Sequence, residues 1–135
     1  MLRLSDDTYL TMVGHALDGL PLEACGLLAG RPGTATVEVC YPCGNAAASA
    51  RLYTLEPLDH LRADRDAESR GLEIIGVYHS HTHTAAYPSP TDVAQAPDPT
   101  WHYVLVSLRD PEPVVRSFRI VDGGIDEEPV VLERR

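Results

Sequence analysis

The hydrophobic pattern predicts a mixed α/β fold, with a mainly antiparallel β-sheet packed between helices. Three observations predict it. The chain opens on a capped run of apolar residues at helical spacing, and a charged helical pattern sits near its middle. Between and after these come apolar, β-branched runs bounded by turn residues, and a hairpin signal lies near the end. The 135 residues, 44% hydrophobic and 23% charged, suit a single domain over 1–135 whose core needs no disulfide framework.

Taken in order, Ser5-Asp6-Asp7-Thr8 caps a first helix with Leu10, Val13, Leu17 and Leu20 as its apolar positions, closed by Gly19 and Pro21. Glu23 leads into a short strand over 24–30, rich in small residues. A turn at 31–34 is followed by an alternating strand over 35–41, a small-residue loop over 44–50 and a strand over 51–55. Pro57 opens a charged helix to about residue 70, anchored by Leu58 and Leu61 and stopped by Gly71. The run over 72–77 is a buried strand that continues through His79 and His81. A short helix runs from Pro90 to about residue 96 and ends at Pro97-Asp98-Pro99. Strands follow over 101–108 and 114–121, and Asp122-Gly123-Gly124 turns the chain into a last one over 125–132. No repeat, low-complexity tract or internal linker interrupts this order.

The chemistry concentrates in 76–92. Side chains two apart on a strand share a face, so His79 and His81 project together, about 7 Å apart along the strand. Ser89-Pro90-Thr91-Asp92 has the form of a helix start, with Ser89 as N-cap and Pro90 in the first helical position. Asp92 either completes a capping box or supplies an oxygen ligand to a metal on the neighbouring strand. Two histidines and a carboxylate leave a fourth tetrahedral position for water, the arrangement of a catalytic zinc rather than a structural one.

His79-Ser80-His81, seven residues, Ser89, two residues and Asp92 together resemble the signature of the JAMM (MPN+) metallopeptidases. The likeness extends over essentially the whole chain. It implies the JAMM/MPN, cytidine-deaminase-like fold and one Zn2+ per chain, held by His79, His81 and Asp92 with a bound water. It also implies an upstream glutamate as general base, a place that Glu23 occupies, and gives Ser89 the role of oxyanion donor. Plain N-capping is the rival role for Ser89. Residues 78–82, 86–89 and 102–107 look like the small bacterial Mec-type branch. Its members clip cysteine or another adduct from the C-terminus of a ubiquitin-fold sulfur-carrier protein.

On that reading the substrate enters as an extended tail that pairs with a strand or loop by main-chain hydrogen bonds, and the loop over 84–88 walls the leaving residue. Two alternatives remain, an isopeptidase that removes ubiquitin-like modifiers from lysines and a non-catalytic scaffold. His83 continues the alternation of His79 and His81, yet the family pattern places no ligand there, so it is a candidate ligand or substrate contact. His15, His60 and His102 receive no role.

A formal charge of −9 argues against a nucleic-acid surface, and no apolar run approaches a membrane span. The first residues lack a signal-peptide core, so the expected compartment is the cytoplasm; a homodimer is left open. Cys40-Tyr41-Pro42-Cys43 has no second half with which to bind zinc and no helix start after it, which makes these ordinary thiols at a strand end. Cys25 is core filler or a wall of the site.

Overall fold

The computed structural model describes residues 1–134. Its elements are β1 (Leu2–Ser5), α1 (Asp6–Gly19), β2 (Cys25–Gly30), β3 (Val39–Cys43), α2 (Pro57–Ser69), β4 (Glu73–His81), α3 (Pro90–Ala94), β5 (His102–Ser107), β6 (Val114–Val121), β7 (Gly124–Glu128) and β8 (Val130–Glu133). Six strands form one sheet in the order β3-β2-β4-β5-β6-β7, in which only β4 and β5 run parallel. A second, two-stranded sheet pairs β1 with β8 in parallel.

Strand alternation divides the core. Leu28, Tyr78, Val104 and Val106 point to the face covered by α1 and the small sheet, where Leu2, Leu4, Met12 and Ala16 meet them. Their neighbours Leu27, Val77 and Tyr103 point the other way, against Ala63 of α2. The helices therefore flank the sheet, as the pattern predicts. Gly26 lets Tyr78 lie flat on β2: a Cβ there would stand 2.3 Å from the Tyr78 ring and 2.6 Å from the Tyr41 carbonyl oxygen.

Several expectations need correction. Leu10, Leu17 and Leu20 are 63%, 50% and 46% exposed, and Thr8, Met12 and Ala16 face inward instead. In α2 the outward leucines are Leu58 and Leu61, whereas Ala63 and Ala67 are buried. In α2 the inward positions hold only alanines, whereas α1 turns Thr8, Met12 and Ala16 to the sheet.

Residues 35–37 do not begin β3. Ala35 O accepts from Arg3 N and Val37 N donates to Arg3 O, so this stretch runs beside β1. That first strand escapes a sequence reading because it is four residues long and its partner lies at the far end of the chain. The region over 51–55 is not a strand; its one bridge joins Leu55 to Asn45, and the loop is held by side chains. The expected strand over 125–132 is two, broken at Pro129, which has no N–H to give to a ladder.

Candidate active site

His79 and His81 occupy the C-terminal end of β4, a central strand between β2 and β5, and both are buried. Ser80 between them points to the opposite face, where its Oγ accepts from Ala24 N at 2.8 Å while Ser80 N donates to Ala24 O at 2.9 Å. Cys25 lies opposite His79 in the β2–β4 register. Carried back two residues past the Ala24–Ser80 bonds, that register sets Glu23 opposite His81. Glu23 therefore sits just ahead of β2 rather than on it, and Ser80 fixes its approach.

Asp92 closes the group from α3. Its Oδ2 accepts from Ser89 N at 2.8 Å, and Ser89 Oγ accepts from Asp92 N at 3.1 Å, a complete capping box. The same carboxylate meets both imidazoles, with Oδ2 2.9 Å from His81 Nε2 and Oδ1 3.1 Å from His79 Nε2. One carboxylate thus completes the cap and faces both imidazoles at the same time. Ser89 likewise serves the cap as acceptor, which leaves its hydroxyl hydrogen for another partner.

The second ring nitrogens and faces of the histidines are also occupied. His81 Nδ1 donates to Ala85 O at 2.8 Å, which orients Nε2 toward Asp92. His79 stacks on Tyr53, with ring centroids 4.3 Å apart and planes 24° from parallel.

Electrostatically the site is tense. Burial lowers the His79 pKa despite Asp92 beside it. Burial opposes charge on His81 as well, but hydrogen bonds to Asp92 and to the Ala85 carbonyl outweigh it and raise the pKa. For Asp92 burial is again outweighed, here by the two imidazoles, and its pKa falls far below the carboxylate range. Glu23 goes the other way: burial pushes it up to about 7, with His81 opposing and Asp92 adding to the rise.

A metal fits these residues. His79 Nε2 is buried and, although close to Asp92, is not aligned for a hydrogen bond. One ligand atom from each of His79, His81 and Asp92 lies within 4.8 Å of the others, near the spacing that bonds of about 2.0–2.2 Å to one ion require. Among the described residues, no other group of three or more His, Cys, Asp or Glu side chains is so disposed.

Beside the trio opens a cavity of about 340 Å³ lined by Glu23, His81, Ser89, Thr84, His83 and Arg51. Glu23 Oε1 is buried without a hydrogen-bond partner. His83 is exposed on the cavity wall and stands apart from the metal group. Of the loop over 84–88, Thr84 lines this cavity, while Ala85 instead holds His81 through its carbonyl.

Sequence reasoning missed four contributors: Ser80, Asn45, Tyr53 and Arg51. Asn45 Nδ2 donates to Glu23 O at 3.0 Å, and Glu23 N donates to Ser49 O at 2.8 Å, so the loop over 44–56 is tied to Glu23. The thiols behave as expected. Cys25 and Cys40 are pushed up to about 12 and Cys43 to about 11, chiefly by burial, and all three are free. Two of the remaining histidines are structural: His102 Nδ1 meets Glu128 Oε2 at 2.7 Å and His15 Nδ1 meets the Tyr78 hydroxyl at 2.7 Å, while His60 lies at the surface of α2, 3.5 Å from Asp64.

By its likeness to known proteins the chain is a peptidase of the JAMM type. Residues 5–121 match the family described as prokaryotic homologs of the JAB domain, and the chain belongs to that family. It is 46% identical over 131 residues to the CysO-cysteine peptidase of Mycobacterium tuberculosis, covering 96% of this chain and 90% of that enzyme. It is 35% identical over 111 residues to the desampylase of Haloferax volcanii, covering 78% and 80% of the two chains. A solution structure of a protein from Desulfitobacterium hafniense superposes with a TM-score of 0.91 at 38% identity, covering all of this chain and 94% of the other. Among the described residues, no helix is long and apolar enough to cross a membrane.

Proposed function

We propose that the chain is a zinc-dependent peptidase that hydrolyses the amide bond after the C-terminal Gly-Gly of a ubiquitin-fold sulfur-carrier protein, releasing cysteine or a related adduct. The observation that carries the chemistry is Glu23: a buried carboxyl with one unpartnered oxygen, sharing a cavity with His81 and Ser89. Burying such a group without a partner is costly, so the fold retains it against stability. The CysO-cysteine peptidase of M. tuberculosis, 46% identical, supports the substrate class.

His79, His81 and Asp92 would hold the ion. When bound, zinc supplies Lewis-acid chemistry, polarising the scissile carbonyl and acidifying a water. Glu23 takes the proton from the attacking water and delivers it to the leaving amine, a task suited to a carboxyl raised to about 7. The Ser89 hydroxyl donates to the carbonyl oxygen as charge develops on it. Tyr53 and Ala85 keep the two imidazoles in their orientations.

The test is direct. Zinc-loaded protein is mixed with carriers ending in Gly-Gly-Cys and with carriers joined through a lysine side chain, and mass loss is followed. Release of cysteine by the wild type and not by Glu23→Gln is the expected result; unchanged cleavage by that variant removes Glu23 from the mechanism. Faster cleavage of the lysine-linked form would favour the isopeptidase reading, which the similarity to a desampylase also supports.

A further inference from the structure

We infer that Arg51 forms a subsite for the α-carboxylate of the leaving amino acid and so selects a carrier ending in a free residue over one attached to a lysine side chain. The inference rests on the peptidase reading, in which Glu23 hands a proton to the departing amine. That amine must then lie on the Glu23 side of the scissile bond, and the space on that side is the cavity of about 340 Å³. It has room for a residue, not for a folded surface. A terminal amino acid there places its carboxylate one carbon from the departing nitrogen, and Arg51 is the arginine among the residues lining the cavity.

Arg51 is free for this role. It is exposed and takes part in no ion pair among the described residues, and its one recorded hydrogen bond is from its backbone N–H to Ser49 Oγ. The loop that carries it is fixed to the chemistry at three points. Ser49 O accepts from Glu23 N at 2.8 Å, Asn45 Nδ2 donates to Glu23 O at 3.0 Å, and Ala50 O accepts from Thr82 Oγ1 at 3.4 Å. These bonds tether the backbone beside Arg51 to Glu23 and to the end of β4, and a planar guanidinium matches a carboxylate with two parallel hydrogen bonds. In a chain of net charge −9 an anionic leaving group needs such a local cation. A lysine isopeptide offers none of this, because the carbon beside its leaving nitrogen is a methylene.

Two forms of one sulfur-carrier protein test the subsite, one ending in Gly-Gly-cysteine and the other in Gly-Gly-cysteamine, which differ only by the carboxylate. Binding is measured by calorimetry on zinc-loaded Glu23→Gln, with and without Arg51→Gln, so the result stands whether or not turnover occurs. The cysteine form should bind about 10- to 100-fold tighter, the range of a charge-assisted pair, and Arg51→Gln should bring the ratio near one. With Glu23 intact, Arg51→Gln should lower kcat/KM for the cysteine form alone, and Arg51→Lys should restore part of it. Equal affinity of the two forms for Arg51-containing protein, or a preference that survives Arg51→Gln, overturns the inference. Absence of cleavage by the wild type, with an Arg51-dependent binding preference, counts against the peptidase reading and not against the subsite.

Discussion

The side-chain amide of Asn45 donates to the main-chain carbonyl of Glu23 at 3.0 Å, joining a loop with no regular structure to the residue proposed as general base. The same amide group donates to Leu52 O at 3.1 Å, and Asn45 Oδ1 accepts from Ala47 N and Thr54 N, both at 3.0 Å. One half-buried side chain thus replaces the ladder that the region over 51–55 lacks. Asn45→Ala is expected to cost about 1–3 kcal/mol in urea unfolding and to lower kcat/KM at least tenfold. Activity that persists at the wild-type level would show that the loop holds its place without Asn45.

Glu23→Gln should stabilise the metal-free protein while it removes activity. The carboxyl titrates at about 7 in the fold, against an ordinary value of 4.5, because burial penalises its charge. The folded state therefore binds that proton more tightly. Stability from the neutral form is complete below pH 4.5 and is lost as pH rises through 7. In chelator-treated protein the variant should match the wild type near pH 4 and exceed it by about 1–3 kcal/mol at pH 8. Equal melting temperatures across that range would contradict the assignment.

Metal should act through Asp92. Zinc that binds the folded chain and not the unfolded one stabilises it by about 2.7 kcal/mol at one hundred times its dissociation constant. Calorimetric scans with and without added zinc should show a rise in melting temperature for the wild type. Asp92→Asn keeps an oxygen for the Ser89 cap but weakens ligation, and its response to zinc should be small or absent.

Acid should loosen the opposite side of the sheet. Burial alone would raise the Glu128 pKa, but hydrogen bonds from His102, the Met1 amine and Ser117 hold it at about 2, against an ordinary 4.5. A carboxyl depressed in the fold contributes stability above 4.5 that disappears as pH falls through 2. Glu128→Gln should flatten the acid limb of the stability curve by about 1–3 kcal/mol between those limits, while pH 7 unfolding shows a cost from weakened partners. An unchanged acid limb would place the acid sensitivity elsewhere.

What the sequence makes legible divides along the distance between partners. His79 and His81 can be read because strand period alone aligns them, and Ser89 with Asp92 because a cap is a local motif. Glu23 can be singled out only through the family resemblance, since its place opposite His81 depends on a strand pairing across more than fifty residues. Arg51 and Asn45 carry no local signal at all; each matters through a loop whose shape is set by side-chain hydrogen bonds. The helices mislead for a different reason. Hydrophobicity ranks leucine above alanine, whereas the space over the sheet admits Ala16, Ala63 and Ala67 and leaves Leu10 and Leu58 outside.

Because Asp92 belongs at once to the cap of α3 and to the trio, order in that helix should be thermodynamically linked to occupancy by the proposed ion. A helix of five residues has little cooperativity of its own. Its amides should exchange with deuterium fastest in the empty enzyme and slow when the ion arrives, so that loading and local folding are one equilibrium seen from two sides.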